Sequence, residues 1–250
     1  MINEYQRSPL FLKYLFKTSS FILCETFLSQ FFLHPEITIT DVKQVFNKFN
    51  LLSDNSFDSF FTLLKWSGRI KLEPSENDKR KKIIRMTEKL YTETNQLTLT
   101  LISPLSDIFL SGKEIPYDTT DFFKTYSDII RDGIFLFNLI DDCSIFVKKD
   151  GGHMIILLLY RLAMMSDDYI IENTQQEIAK LCSVSRSLIR KVFEEGAAKG
   201  LFSYTNDKKI IIEEKFLELA KNYMSYYFSY AAYANKITLK KSPVSGELTL

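Results

Sequence analysis

Metal-binding and disulfide-forming residues are scarce in this chain: 250 residues include three cysteines and two histidines. Cys24, Cys143 and Cys182 are scattered, with no CxxC spacing and no even-numbered set. That argues against a disulfide framework and against a zinc site. Charge of one sign is lacking too, since 32 basic residues stand against 31 acidic ones, a formal net charge of +1. A polyanionic partner must therefore be argued from local charge. The most apolar run, residues 154–165, is too short to span a bilayer and contains Arg161. The first residues lack the basic-then-apolar layout of a signal peptide. These absences point to a soluble protein of the reducing cytoplasm with no membrane partner.

Catalytic signatures are missing as well. No Walker A, GxGxxG, GxSxG or HExxH pattern occurs. His34 sits beside Pro35 and His153 follows Gly152, neither with a cysteine or carboxylate at ligand spacing. Both read as surface or loop histidines. The pairs Asp141-Asp142 and Asp167-Asp168 read as turn or helix-end residues. The expectation is a protein without catalytic residues or cofactor.

What is present is a helical pattern with sparse breaks, because eight glycines and six prolines leave room for long helices. Apolar residues recur at helical spacing over residues 10–32, and His34-Pro35 stops them. Thr40 is expected to cap a helix over residues 41–49, and a further helix over 56–66 ends at Gly68. Residues 69–72 then alternate like a strand, 74–78 read as a turn, and 82–86 suit a returning strand. Thr87 caps a long helix towards Ser111. Residues 119–149 read as mostly helical with a break at Gly133. After Gly151-Gly152 comes an apolar helix over 153–165. Thr174 caps a helix ending at Cys182, Ser183-Val184 make a tight turn, and Ser185 caps a second helix that ends at Gly200. A hairpin over 201–212 turns at Asn206-Asp207, and a closing helix covers 213–235.

The second half therefore repeats the element order of the first: Gly68 corresponds to Gly200 (132 residues on) and Thr40 to Thr174 (134 residues on). Residue identity between the halves is low, so the repetition is architectural. The order of helices followed by a β-hairpin and a helix is that of a winged helix. The expected fold is mainly α, with two winged helix-turn-helix units, small β-hairpin wings and long flanking helices. The units span residues 1–112 and 151–235. Residues 113–150 connect them, and 236–250 form a tail.

Two stretches carry the functional expectation. Between Thr174 and Gly200, Ile178, Ala179, Leu181, Val184, Ile189 and Val192 supply the contact between two helices. Ser185, Arg186, Ser187, Arg190 and Lys191 sit in the N-terminal half of the second helix, where long donors can reach bases and phosphates in a major groove. The pattern T-x-x-E-I-A, a small turn, S-R and a late K-G resembles the helix-turn-helix of the Crp, GntR and MarR regulator families. That resemblance covers about thirty residues and implies a recognition helix over 185–199.

The second stretch runs from Asp78 to Lys89 and resembles the wing of MarR-family proteins, D-x-R followed later by L-T-x-x-G. Asp78, Arg80, Thr87 and Glu88 match; Met86 replaces the leucine and Leu90 the glycine. The resemblance implies that Arg80 enters a minor groove with Asp78 positioning it, which suits a cation on a hairpin tip. Lys79, Lys81, Lys82 and Arg85 join it as phosphate anchors. Nine basic residues stand against four acidic ones over residues 65–89. One departure is plain: the presumed first recognition helix, 56–66, is rich in Phe and holds one base and one acid.

Together these point to a sequence-specific regulator of transcription that binds double-stranded DNA through two winged helices as a pseudo-dimer. Two alternatives stand beside it: a plasmid or phage replication initiator with paired winged helices, and a winged-helix scaffold that binds protein without DNA. A stripe of Tyr223, Tyr226, Tyr227, Tyr230 and Tyr233 marks either a packing seam, within the chain or in a homodimer, or a pocket for a small-molecule effector.

Overall fold

The computed structural model describes residues 2–7, 9–50, 53–110, 112, 115–135 and 138–236. Within them the chain is mainly helical and carries two small antiparallel sheets. It begins with α1 (Ile2–Arg7), α2 (Pro9–Leu15) and α3 (Thr18–Leu33). The sequence suggests one helix across α2 and α3; the structure breaks it at Lys17, whose backbone is extended. The break frees carbonyls that a continuous helix would engage. Lys13 and Phe16 accept instead from the Gly151 and His153 amides, at 2.9 and 3.4 Å.

Next come α4 (Ile39–Phe46), a single 3-10 turn (Asn47–Phe49) and α5 (Asp54–Trp66). The cap of α4 is Thr38 and not Thr40. Three residues beyond Thr38 lies Asp41, whose carboxylate accepts from the Thr38 amide at 2.9 Å while Thr38 Oγ1 accepts from the Asp41 amide at 3.2 Å. Three residues beyond Thr40 lies Lys43, which cannot complete that reciprocal pair. Ser53 caps α5, and Gly68 ends it at φ +70°.

Strands β1 (Ile70–Pro74) and β2 (Lys82–Met86) pair antiparallel, Ile70 opposite Met86 and Pro74 opposite Lys82. Thr87 Oγ1 accepts from the Leu90 amide at the start of α6 (Glu88–Leu110). Then follow α7 (Thr119–Arg131), which stops before Gly133, a one-turn α8 (Ser144–Val147) and the apolar α9 (Gly152–Met164). Of the expected connection over 113–150, Lys113, Glu114, Leu136 and Phe137 lie outside the described residues, as does the tail beyond Lys236.

The last part holds β3 (Ile170–Ile171), α10 (Gln175–Leu181), α11 (Arg186–Ala198), β4 (Phe202–Tyr204), β5 (Ile210–Ile212) and α12 (Glu214–Ala234). The strand order is β3-β5-β4. β3 is two residues long and has no signal in the sequence. Its counterpart in the first half is shorter still, a single bridge between Thr38 and Ile83 of β2. Each half thus runs helix, edge bridge, helix, helix, hairpin, helix, and the capping boxes at Thr38 and Thr174 correspond at an offset of 136 residues.

Helices α3 and α12 pack on α7, α12 also packs on α6, and α1 reaches across to α9. The amphipathic α7 buries Phe122, Phe123, Tyr126, Ile129 and Ile130. The buried apolar side chains, from Tyr5 to Ala234, form one continuous core. Among the described residues no helix is long and apolar enough to cross a membrane.

Candidate nucleic-acid interface and an adjoining cavity

Thr174 and Glu177 form the box that opens α10: the Glu177 carboxylate accepts from the Thr174 amide at 2.7 Å, which holds its pKa below the usual range. Along the α10–α11 seam Ile178, Ala179, Ile189 and Val192 are buried, and Leu181 and Val184 are half-buried. Ser183 takes φ +52° in the turn, and the Val184 amide donates to the Ala179 carbonyl at 2.9 Å. Ser185 Oγ accepts from the Leu188 amide at 3.2 Å and lies 2.9 Å from Ser187 Oγ. The helix start therefore engages Ser185 locally, leaving it less free to read a base than the sequence suggests.

Arg186, Ser187, Arg190 and Lys191 are exposed on α11. Their charge is tempered one turn on: Arg190 pairs with Glu194 at 3.5 Å and Lys191 with Glu195 at 3.8 Å. Glu195 is shared with Lys149. Arg186 has no ion-pair partner among the described residues.

The β1–β2 hairpin holds the other predicted set. The Asp78 carboxylate accepts from the Arg80 amide at 3.1 Å, fixing the turn through the backbone and not through the guanidinium. Lys79, Arg80, Lys81 and Lys82 are exposed. Arg85 is engaged by the fold, donating to the Pro35 carbonyl at 2.9 Å and pairing with Glu73 at 3.4 Å. Arg69, counted in the basic excess, is only 3% exposed. Its guanidinium makes two bonds to the Glu93 carboxylate, at 2.7 and 2.8 Å, and lies 3.6 Å from the centre of the Phe11 ring. The surface charge of this region is thus lower than the residue count implies. No hydrogen bond or ion pair among the described residues joins the hairpin set to the α11 set.

The Phe-rich α5 is explained by burial: Phe57, Phe60 and Phe61 face the core with Leu64. His153 is not the surface or loop residue that the sequence suggests. It is 4% exposed, with Nδ1 2.6 Å from the Tyr223 hydroxyl and 3.1 Å from that of Tyr227. Burial pushes its pKa down to about 3, so it is a neutral core histidine. The sequence missed this because α9 is buried on nearly all sides, His153 included. His34 is exposed at the end of α3, as expected. The three thiols are buried, and burial pushes each up to about 12.

A cavity of about 310 Å³ opens among α2, α3, α6, α7 and α12. Aromatic and aliphatic side chains form most of its wall, and Glu25, Arg69 and Glu93 also line it. Glu25 accepts from the Tyr126 hydroxyl at 2.6 Å. Burial pushes its pKa up to about 8, against the opposing effect of that bond. Tyr227 and Tyr230 line the cavity, Tyr223 is buried behind them, and Tyr226 and Tyr233 face outwards. The tyrosine stripe is both a seam and a cavity wall. One signal in the sequence pointed here: Glu25 is the only charged residue in α3.

No family model, curated protein or solved structure matches this chain.

Proposed function

We propose that this chain is a cytoplasmic transcriptional regulator that binds double-stranded DNA sequence-specifically through two winged helices, with no enzymatic activity. The observation that carries the reading is the α10–α11 pair: two capped helices joined by a tight turn, the second presenting Arg186, Ser187, Arg190 and Lys191 to solvent. A helix with exposed donors in its first turns matches the dimensions and chemistry of a major groove. The repeated element order supports assigning the second unit to residues 151–235 and the first to 1–112. In the first unit Lys79, Arg80, Lys81 and Lys82 anchor phosphates, while Arg85 braces the hairpin. Because α5 turns its phenylalanines inwards, the first unit grips backbone more than it reads bases.

Fluorescence anisotropy on duplex DNA across a salt series tests this. Wild type is expected to bind, with affinity falling steeply as salt rises. Each phosphate contact removed should lower the log–log slope by about 0.9. Arg186→Ala/Arg190→Ala should weaken binding and blunt sequence preference, whereas Lys79→Ala/Arg80→Ala should weaken all sequences alike. Absence of binding at low salt would overturn the reading. The Arg190–Glu194 and Lys191–Glu195 pairs favour a second one, a winged-helix scaffold that binds protein; it requires the Arg186/Arg190 variant to keep full function.

A further inference from the structure

We propose that the cavity among α2, α3, α6, α7 and α12 binds a lipophilic organic monocation, with the Glu25 carboxylate as counter-ion and the surrounding aromatic rings as walls. The charge inventory of the lining leads to this class. Two carboxylates, Glu25 and Glu93, and one guanidinium, Arg69, face the cavity. Glu93 and Arg69 satisfy each other through two parallel bonds, with Phe11 stacked on the guanidinium. Glu25 is left without a cation, and its one hydrogen-bond partner among the described residues is the Tyr126 hydroxyl. Glu25 is half-buried, and a carboxylate partly withdrawn from water and unpaired is unfavourable, so it either holds a proton or meets a positive ligand.

The walls select the kind of cation. Phe21, Phe122, Tyr126, Tyr227 and Tyr230 surround the site, and the faces of such rings attract ammonium groups. The Tyr230 hydroxyl is buried with no hydrogen-bond partner, an oxygen free to accept from a bound donor. A divalent metal is disfavoured, because no cluster of three or more metal-ligating side chains occurs among the described residues. The volume, about 310 Å³, lies at the lower end of the range for small-molecule sites, which begins at roughly 300 Å³. An amine or quaternary ammonium on an aromatic or branched apolar body fits both charge and wall.

Around Glu25 stand Cys24 on α3, Arg69 before β1, Glu93 on α6, Tyr126 on α7, His153 on α9, and Tyr223, Tyr227 and Tyr230 on α12. Cys24 titrates near 12, His153 near 3, and the four tyrosines lie above their ordinary value. Arg69 and Glu93 are paired to each other. Proton release from Glu25, near 8, therefore governs cation binding around neutrality.

Isothermal titration of the full chain with benzyltrimethylammonium, a permanent cation, and with its neutral carbon isostere neopentylbenzene reads the proposal without reference to DNA. Failure here and failure of the regulator reading are thus separate results. Wild type is expected to prefer the cation by at least about tenfold, a difference of about 1.4 kcal/mol. Below pH 8 its affinity should fall about tenfold per pH unit as a proton competes for Glu25. Glu25→Gln should abolish both the preference and the pH dependence while still binding the isostere. Should Glu25→Gln fail to fold, the two wild-type measurements decide. Equal affinity for both ligands, a cation affinity flat with pH, a preference retained in Glu25→Gln, or no binding of the cation would each overturn the proposal.

Discussion

Gly152 has no room for a side chain. A Cβ there would sit 1.9 Å from the Phe146 carbonyl oxygen, a backbone atom that cannot swing aside. Gly196 on α11 is similarly close to Phe202, whose ring would lie 2.4 Å from an added Cβ. Gly152→Ala should therefore destabilise the fold by about 3 kcal/mol, read from the midpoint of a urea melt, and a neutral outcome would contradict the packing described. Two titratable groups, buried His153 and half-buried Glu25, set opposite pH responses. His153 stays neutral down to about 3 in the fold but would take up a proton near 6.5 when unfolded. Between those values the unfolded state binds more protons, so stability is full above 6.5 and is lost as pH falls. Glu25 keeps its proton up to about 8, against 4.5 when unfolded, so its contribution is lost as pH rises across that window. Between about 4.5 and 6.5 the two slopes oppose each other, so the expected melting temperature declines below about 4.5 and between about 6.5 and 8. Glu25→Gln should remove the decline that extends to about 8 and leave stability rising with pH up to about 6.5, which thermal melts across the pH range will show.

Helix ends were the most legible elements. An N-cap needs a short polar side chain that accepts from the backbone amide three residues on, and a helix can end at a glycine with positive φ, so both signals are local in the chain. Thr174, Ser185, Gly68 and Gly200 were therefore readable, and the α10–α11 pair with them. The misplaced cap at Thr40 belongs to the same chemistry, since the capping box is completed by Asp41 and so selects Thr38. Thr38→Ala should cost about 1 kcal/mol in a denaturant melt, whereas Thr40→Ala should lie within about 0.5 kcal/mol of wild type. The break between α2 and α3 was not readable, because the groups that accept its freed carbonyls come from Gly151 and His153, far along the chain. Strand β3 was missed for the same reason: two residues carry no period, and only the partner strand β5 defines them.

Over the whole molecule, the two similar halves are fused by what lies between and before them. α7 fills the space between α3 and α12, and α1 packs against α9. Tyr5 shows the coupling: its buried hydroxyl donates to the Cys182 carbonyl at 2.7 Å, linking the N-terminal helix to the turn that follows α10. Asp142 makes a second link, held below its ordinary pKa by Lys199 and Lys215 from the end of α11 and the start of α12. The cavity is a product of the same fusion, since five helices from distant parts of the sequence enclose it.

The sequence by itself determined the mainly helical character, most helix ends, both hairpins and the exposed basic residues of the candidate interface. Those features depend on periodicity, turn chemistry and caps, which act over a few residues. Only the tertiary structure decided that Arg69 is a buried partner of Glu93, that Arg85 braces its own hairpin, that His153 lies in the core, and that Glu25 faces a cavity without a cation. Burial and ion pairing depend on which distant side chains arrive nearby, and residue spacing along a chain carries no record of that.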